Sequence, residues 1–359
     1  MKNIHSLLIM IILGLTACDN GEVTPDNDQK NGNTDTTEVE YTIVDPCMTG
    51  DENCLESIPI KSEAGRTAVF NFYRNYPIMN DTAKWGNIKQ AVFVVHGQNR
   101  DADNYFNFMT SSLNSSNIMD STLLISPHFK NNSQVGPGEL FWPNDWRSGA
   151  LSGNPSVKIS TYSLLDSLID IISNKDQFPF LEKIIITGHS SGALFTHTYA
   201  LASEVEELYE IDFDYIVANS QYFYYPLDVR YDANSDSFTT PNECENYNDW
   251  PFGFESPVEY IASKNREELN EKFIRKKITY LLGTSDTQTS GSLNTNNCAA
   301  VLLGEHRFNR GENMQLLMET FYQNEHNHQK KLVQNIGHNG NSMYNSNSYK
   351  ELMLQIFSE

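Results

Sequence analysis

The sequence predicts an α/β chain built on a mostly parallel central sheet with helices on both faces. Two patterns predict it. Short apolar, β-branched runs alternate with longer stretches whose apolar residues recur at helical spacing, which is what parallel strands joined by crossover helices require. The residues able to carry chemistry then fall just after several of those runs, where ligands collect outside the carboxyl ends of strands in an open α/β sheet.

Strands are predicted over 67–73, 91–95, 122–126, 183–187, 215–219, 277–282 and 331–336, each a short run rich in Val, Ile, Leu, Phe or Tyr. Helices are predicted over 102–113, 161–172, 191–208, 312–322 and 346–357. In the second of these, Leu164, Leu165, Leu168, Ile169 and Ile172 make one apolar stripe, a core face that packs on the sheet.

Ahead of the first strand, Met1-Lys2-Asn3 and the apolar stretch from Leu7 to Leu15 have the form of an export signal, too short to span a bilayer as a permanent helix. The stretch ends in Leu15-Thr16-Ala17-Cys18, which resembles a bacterial lipobox, so residues 1–17 are expected to be removed and Cys18 lipidated. Several acyl chains on one residue suffice for a stable membrane anchor. Residues 18–40 are almost wholly Asp, Asn, Gly, Thr and Glu after the cysteine, a composition that cannot bury apolar surface and reads as a disordered tether. The folded domain is expected over 41–359, with no internal repeat and no second linker. The expected location is the cell envelope.

With Cys18 lipidated, Cys47, Cys54, Cys244 and Cys298 remain, an even number in an exported chain. Three connectivities are possible. Cys47 with Cys54 is favoured by the short loop through Thr49-Gly50-Asp51, and Cys244 with Cys298 by their polar, loop-like surroundings. The net charge of −21, from 46 acidic against 25 basic residues, argues against nucleic acid or an anionic membrane surface as partner.

The chemistry centres on Gly188-His189-Ser190-Ser191-Gly192, which follows the apolar run 183–187 and opens a helical stretch. This is the strand, sharp turn and helix of a nucleophile elbow, and it makes Ser190 the candidate nucleophile. A serine hydroxyl needs a neutral imidazole to take its proton and a carboxylate to hold that imidazole. Asp286, after 277–282, and His338, after 331–336, supply them in the order Ser, Asp, His. Asp228 is the runner-up acid, but it lies beyond an aromatic run and away from a strand end. His326 and His328 read as exposed loop histidines, since no cysteine or glutamate completes a compact ligand set. His189, beside the nucleophile, reads as a packing residue. An acyl-transfer site also needs amide donors for the oxyanion, and Ser191 and Gln98, the latter in the His96-Gly97-Gln98 turn, are the candidates. His96, Trp142 and Trp146 are the candidates for lining a substrate cleft, the tryptophans from the cluster Phe141-Trp142-Pro143-Asn144-Asp145-Trp146.

With these residues in place, the chain resembles the α/β-hydrolase superfamily, and within it exported serine hydrolases of bacteria and fungi. The resemblance extends over most of 91–344. It rests on Val94-Val95-His96-Gly97 with Asn104-Tyr105-Phe106, on the elbow, on Asn248-Asp249-Trp250-Pro251-Phe252-Gly253, on Tyr280-Leu281-Leu282-Gly283 with Asp286, and on Cys298-Ala299-Ala300 through Gly304-Glu305-His306-Arg307-Phe308. It departs at Ser191, where alanine is expected. It implies Ser190, Asp286 and His338 as the triad and a Cys244 to Cys298 disulfide. The expected activity is hydrolysis of a carboxylic ester through an acyl-enzyme, with no metal and no cofactor, and with acyl or aromatic esters of polysaccharides as the first choice of substrate. A serine peptidase, a polyester or lipid hydrolase, and an inactive surface binding lipoprotein are the alternatives on the same scaffold.

Overall fold

The computed structural model describes residues 40–358. The expected leader over 1–17, the anchor at Cys18 and the tether up to residue 39 lie outside them. The strands are β1 (Leu55–Lys61), β2 (Thr67–Arg74), β3 (Gln90–Val95), β4 (Thr122–Pro127), β5 (Lys183–His189), β6 (Asp212–Ala218), β7 (Arg230–Asp232), β8 (Ser237–Thr239), β9 (Ile278–Gly283) and β10 (His328–Val333). The helices are α1 (Ala102–Ser115), α2 (Thr161–Ile172), α3 (Ser191–Ala202), α4 (Arg266–Arg275), α5 (Cys298–Val301), α6 (Arg307–Phe321), α7 (Gly340–Tyr344) and α8 (Asn347–Ser358).

Eight strands form one sheet in the order β1-β2-β4-β3-β5-β6-β9-β10, and β7 and β8 form a separate hairpin. From β4 to β10 every pairing is parallel, while β1 with β2 and β2 with β4 are antiparallel. The chain runs from β3 outward to β4 and then returns to place β5 on the other side of β3. That reversal opens a crevice at the carboxyl ends of β3 and β5.

Side-chain alternation along each strand decides which helices cover which face. Ala91, Phe93 and Val95 of β3 join one apolar cluster with Leu164 and Leu168 of α2, Phe195 of α3, Phe273 of α4 and Leu317 of α6. Val92 and Val94 point the other way and join Phe106 and Met109 of α1, Met343 of α7 and Leu352 of α8. Because both faces are covered, β3, β4, β5 and β9 are buried at every residue. Such strands read in sequence as unbroken apolar runs. Helix α3 is buried along all 12 of its residues.

Cys47 is bonded to Cys54 and Cys244 to Cys298. The second link spans 54 residues of sequence, and closing a loop of that size in the unfolded chain stabilises the fold by about 4 kcal/mol on the chain-entropy model.

Several boundaries differ from the sequence expectation. The helix expected over 191–208 ends at Ala202, because Ser203 Oγ accepts from Val205 N–H and donates to Asp166, a local turn that competes with helix. A 3₁₀ turn, Val205–Leu208, completes the segment. The last strand lies three residues earlier than expected, over His328–Val333. Its register is held by His328, which is buried, with Nδ1 against the Tyr280 hydroxyl at 2.8 Å and Nε2 against the Phe273 carbonyl at 2.8 Å. The expectation of an exposed loop His328 is therefore corrected: desolvation pushes its pKa down to about 3, and the ring serves as a neutral core group. Helix α6 starts five residues earlier than expected, capped by His306, whose Nδ1 accepts from Asn309 N–H.

Candidate active site

Strand β5 ends at His189 and α3 begins at Ser191, so Ser190 alone makes the turn between them. It has φ 59° and ψ −114°, a backbone region that costs a non-glycine residue of order 1–3 kcal/mol and persists only where the surroundings enforce it. Here the enforcement is visible. Ser190 N–H donates to the Ala218 carbonyl at the end of β6, 3.0 Å away. A Cβ on Gly188 would lie 2.2 Å from the Gly192 carbonyl carbon and oxygen, and a Cβ on Gly192 would lie 2.2 Å from the Val95 oxygen. The elbow thus has glycine on both sides because its own backbone and that of β3 occupy the space.

Two further strand ends deliver the other two groups. The loop after β9 carries Asp286 and the loop after β10 carries His338. The loops are tied together: Ser285 N–H donates to the Ile336 carbonyl at 2.9 Å. Asn219, just past β6, accepts from Gly283 N–H at 2.8 Å and donates to the Gly337 carbonyl at 3.1 Å. The result brings Ser190, Asp286 and His338 into one hydrogen-bonded line. His338 Nδ1 lies 2.8 Å from Asp286 Oδ2, and His338 Nε2 lies 2.9 Å from Ser190 Oγ. With the Nδ1 proton held by the carboxylate, Nε2 is left as the acceptor facing the serine hydroxyl. Asp228, the runner-up acid, is elsewhere engaged, with Arg266 and with Asn248 Nδ2 at 2.6 Å.

The carboxylate has a partner that sequence reading missed. Asp286 is fully buried, its Oδ1 makes no hydrogen bond among the described residues, and Arg307 Nη1 stands 3.7 Å from that oxygen. Arg307 opens α6 and is itself 1% exposed. Burial pushes its pKa down, and the Asp286 charge acts against that. Replacing Arg307 by Met leaves a buried carboxylate facing an apolar group, so Arg307→Met is expected to cost about 3 kcal/mol of stability, read by urea unfolding. Arg307→Lys should recover most of that loss. Equal losses in the two variants would mean that packing, not charge, sets the cost.

A cleft of ~710 Å³ opens above Ser190 and is lined among others by Gln98, Arg147, Tyr222, Arg307 and His338. Gln98 Oε1 accepts from Ser191 Oγ at 3.1 Å, so the two candidate oxyanion residues are linked through their side chains across the elbow. His189 is buried beside His338, ring centroids 4.7 Å apart, with Nδ1 against the Tyr105 hydroxyl at 3.1 Å. Burial holds its pKa well below the usual histidine value, and the neighbouring His338 and Arg307 add to this. It packs against the His338 ring, the packing role that the sequence suggests.

Three expectations are corrected. His96, Trp142 and Trp146 do not line the cleft; all three are core residues, 0%, 0% and 3% exposed. His96 Nε2 accepts from Phe129 N–H at 3.1 Å, its ring lies 4.4 Å from that of Trp146, and desolvation pushes its pKa down to about 3. Trp142 donates from Nε1 to the Ala150 carbonyl at 3.1 Å and packs edge-on against Phe70 and Phe129. These rings form an apolar layer that seats α3, and Arg147, next to Trp146, reaches the cleft instead. Among the described residues no group of three His, Cys, Asp or Glu side chains is placed to hold a metal ion.

A central, mostly parallel sheet with a serine on the strained turn after one middle strand and an acid and a histidine on later strand ends defines the α/β-hydrolase fold, and the chain has that fold. Solved structures share it. A poly(3-hydroxybutyrate) depolymerase from Bordetella parapertussis is similar at 19% identity and a TM-score of 0.55, with 81% of this chain and 87% of that one covered. A poly(aspartic acid) hydrolase from Sphingomonas sp. KT-1 is similar at 16% identity and a TM-score of 0.56, covering 85% of this chain and 98% of that one. No protein-family model and no curated protein sequence matches the chain.

Proposed function

We propose that the chain is a serine hydrolase that cleaves carboxylic esters through an acyl-enzyme. The observation that carries this reading is the unbroken line from Asp286 Oδ2 through His338 to Ser190 Oγ, at 2.8 and 2.9 Å, at the mouth of an open cleft. His338 Nε2 takes the Ser190 proton as Oγ adds to the substrate carbonyl, and Asp286 stabilises the imidazolium that forms. The main-chain N–H groups of Ser191, at the first position of α3, and of Gln98 receive the negative oxygen. The tetrahedral species collapses, His338 protonates the departing alcohol, and water activated by the same histidine then releases the acid from Ser190.

The wider reading places this activity on a cell-envelope lipoprotein, exported by residues 1–17, anchored through Cys18 and separated from the membrane by the polar stretch 18–40, with acyl or aromatic esters of polysaccharides as substrates. The reaction class is tested by comparing 4-nitrophenyl esters, acetylated and feruloylated glycans, and peptide anilides as substrates. Turnover of esters with anilides untouched is the expected result. Preferential turnover of anilides would make the chain a peptidase, and turnover of neither would leave a binding protein on a hydrolase scaffold.

A further inference from the structure

The cleft holds an arginine that, among the described residues, has no acid paired with it. Arg147 Nη1 donates to Gln98 Oε1 at 3.0 Å and reaches Ser191 Oγ at 3.4 Å, and its guanidinium lies over the Tyr222 ring at 5.3 Å. Its Nε and Nη2 make no hydrogen bond among the described residues. The other arginines set into the fold are spoken for. Arg74, Arg266 and Arg307 face Glu56, Asp228 and Asp286. Arg100, Arg230 and Arg310 donate to main-chain carbonyls. In a chain with 46 acidic and 25 basic side chains, acids to neutralise Arg147 are abundant, yet among the described residues none forms an ion pair with it. Asp101, the one carboxylate on the cleft wall among the described residues, stands at the N-cap position of α1, makes no side-chain capping bond there and accepts from Asn104 Nδ2 at 3.1 Å.

We propose that Arg147 is a specificity residue and that the natural ester carries a carboxylate near the bond that is cleaved. This rests on the ester-hydrolase reading and narrows it. The guanidinium presents a planar fork that suits a carboxylate in a bidentate pair. Gln98, Ser191 and Tyr222 already hold that fork in place, so little rotamer freedom is lost when the anion binds. Its position, bonded to the side chain of the residue that follows the nucleophile, puts the anion within a few bonds of the reacting carbonyl. A neutral ester gains nothing from this group, whereas an anionic one exchanges water for a charge-assisted pair.

The test uses the full-length chain and two matched pairs of esters. Mono-4-nitrophenyl adipate against 4-nitrophenyl hexanoate places the carboxylate in the acyl part, and 4-acetoxybenzoate against 4-acetoxybenzamide places it in the alcohol part. In at least one pair the wild-type kcat/KM is expected to favour the charged member. Arg147→Gln should lower that charged-to-neutral ratio about 10- to 100-fold, mostly through KM, and Arg147→Lys should lower it less. Raising the salt concentration should shrink the wild-type ratio. Any effect of the substitution on the neighbouring oxyanion donors falls on both members of a pair and cancels in the ratio. Neutral esters turned over with no preference for either charged partner, or a preference that survives Arg147→Gln, would overturn the carboxylate proposal and leave the hydrolase reading standing. Failure to turn over any of the four esters would overturn both.

Discussion

Ser190→Ala is expected to lower kcat/KM on an activated ester by about 10⁴-fold or more, leaving only what the oxyanion donors and binding contribute. Asp286→Asn is the more discriminating change and should cost a similar factor. An asparagine amide at that place donates to His338 Nδ1, which forces the imidazole proton onto Nε2. The nitrogen 2.9 Å from Ser190 Oγ would then carry a hydrogen and could not take the serine proton. Asp228→Asn should leave turnover within about twofold, because the Asp228 carboxylate is engaged with Arg266 and Asn248 and not with His338. Steady-state kinetics on purified variants, with circular dichroism to check folding, reads all three. Activity retained in Asp286→Asn and lost in Asp228→Asn would mean that the acid is misassigned.

Gly192→Ala is expected to abolish activity and to destabilise the protein by about 3 kcal/mol or more, the upper end of what overpacking costs. The added methyl meets the Val95 oxygen at 2.2 Å and the His96 oxygen at 2.6 Å. Both are main-chain atoms of a strand end that is buried, so neither can rotate away. Relief requires α3 to withdraw from β3, and that movement carries Ser190 away from His338. Gly188→Ala meets the main chain of Gly192 at 2.2 Å and should behave alike. Gly291 makes the control: a Cβ there meets nothing within 4 Å, and only its φ of 73° is strained, so Gly291→Ala should cost about 1 kcal/mol and leave the elbow intact. Thermal unfolding beside ester turnover measures both quantities. A stable, active Gly192→Ala protein would refute the packing of the elbow described above.

Legibility of the fold in the sequence followed burial. Strands covered on both faces, such as β3 and β5, are continuous apolar runs and stand out. The edge strand β10 was misplaced by three residues because a buried histidine, His328, fixes its register, and an imidazole carries no hydropathic signal. Strand β1 went unseen because Ile58 is its one buried residue, the other six being half-buried or exposed. Helix α4 had a readable start, Asn265 accepting from Glu268 N–H, but its charged sequence masked the core contacts of Leu269 and Phe273.

The site divides in the same way. Ser190, Asp286 and His338 were legible because each follows a strand and their order is restrictive. Trp142 and Trp146 misled because an aromatic ring fits a core as well as a cleft, and no local pattern separates the two. Arg147 and Arg307 were invisible for a different reason. A single arginine has no periodicity, and what marks these two is the company they keep in space: one beside a buried carboxylate, the other beside none.

The measurement that bears most directly on the central claim is reaction of the folded protein with a fluorophosphonate, followed by intact mass and peptide mapping. A serine activated by the Asp286–His338 pair should gain a single adduct, located on Ser190 and lost in Ser190→Ala and His338→Ala. Folded protein that takes no adduct, or an adduct on a different serine that persists in Ser190→Ala, would contradict the assignment of Ser190 as the nucleophile.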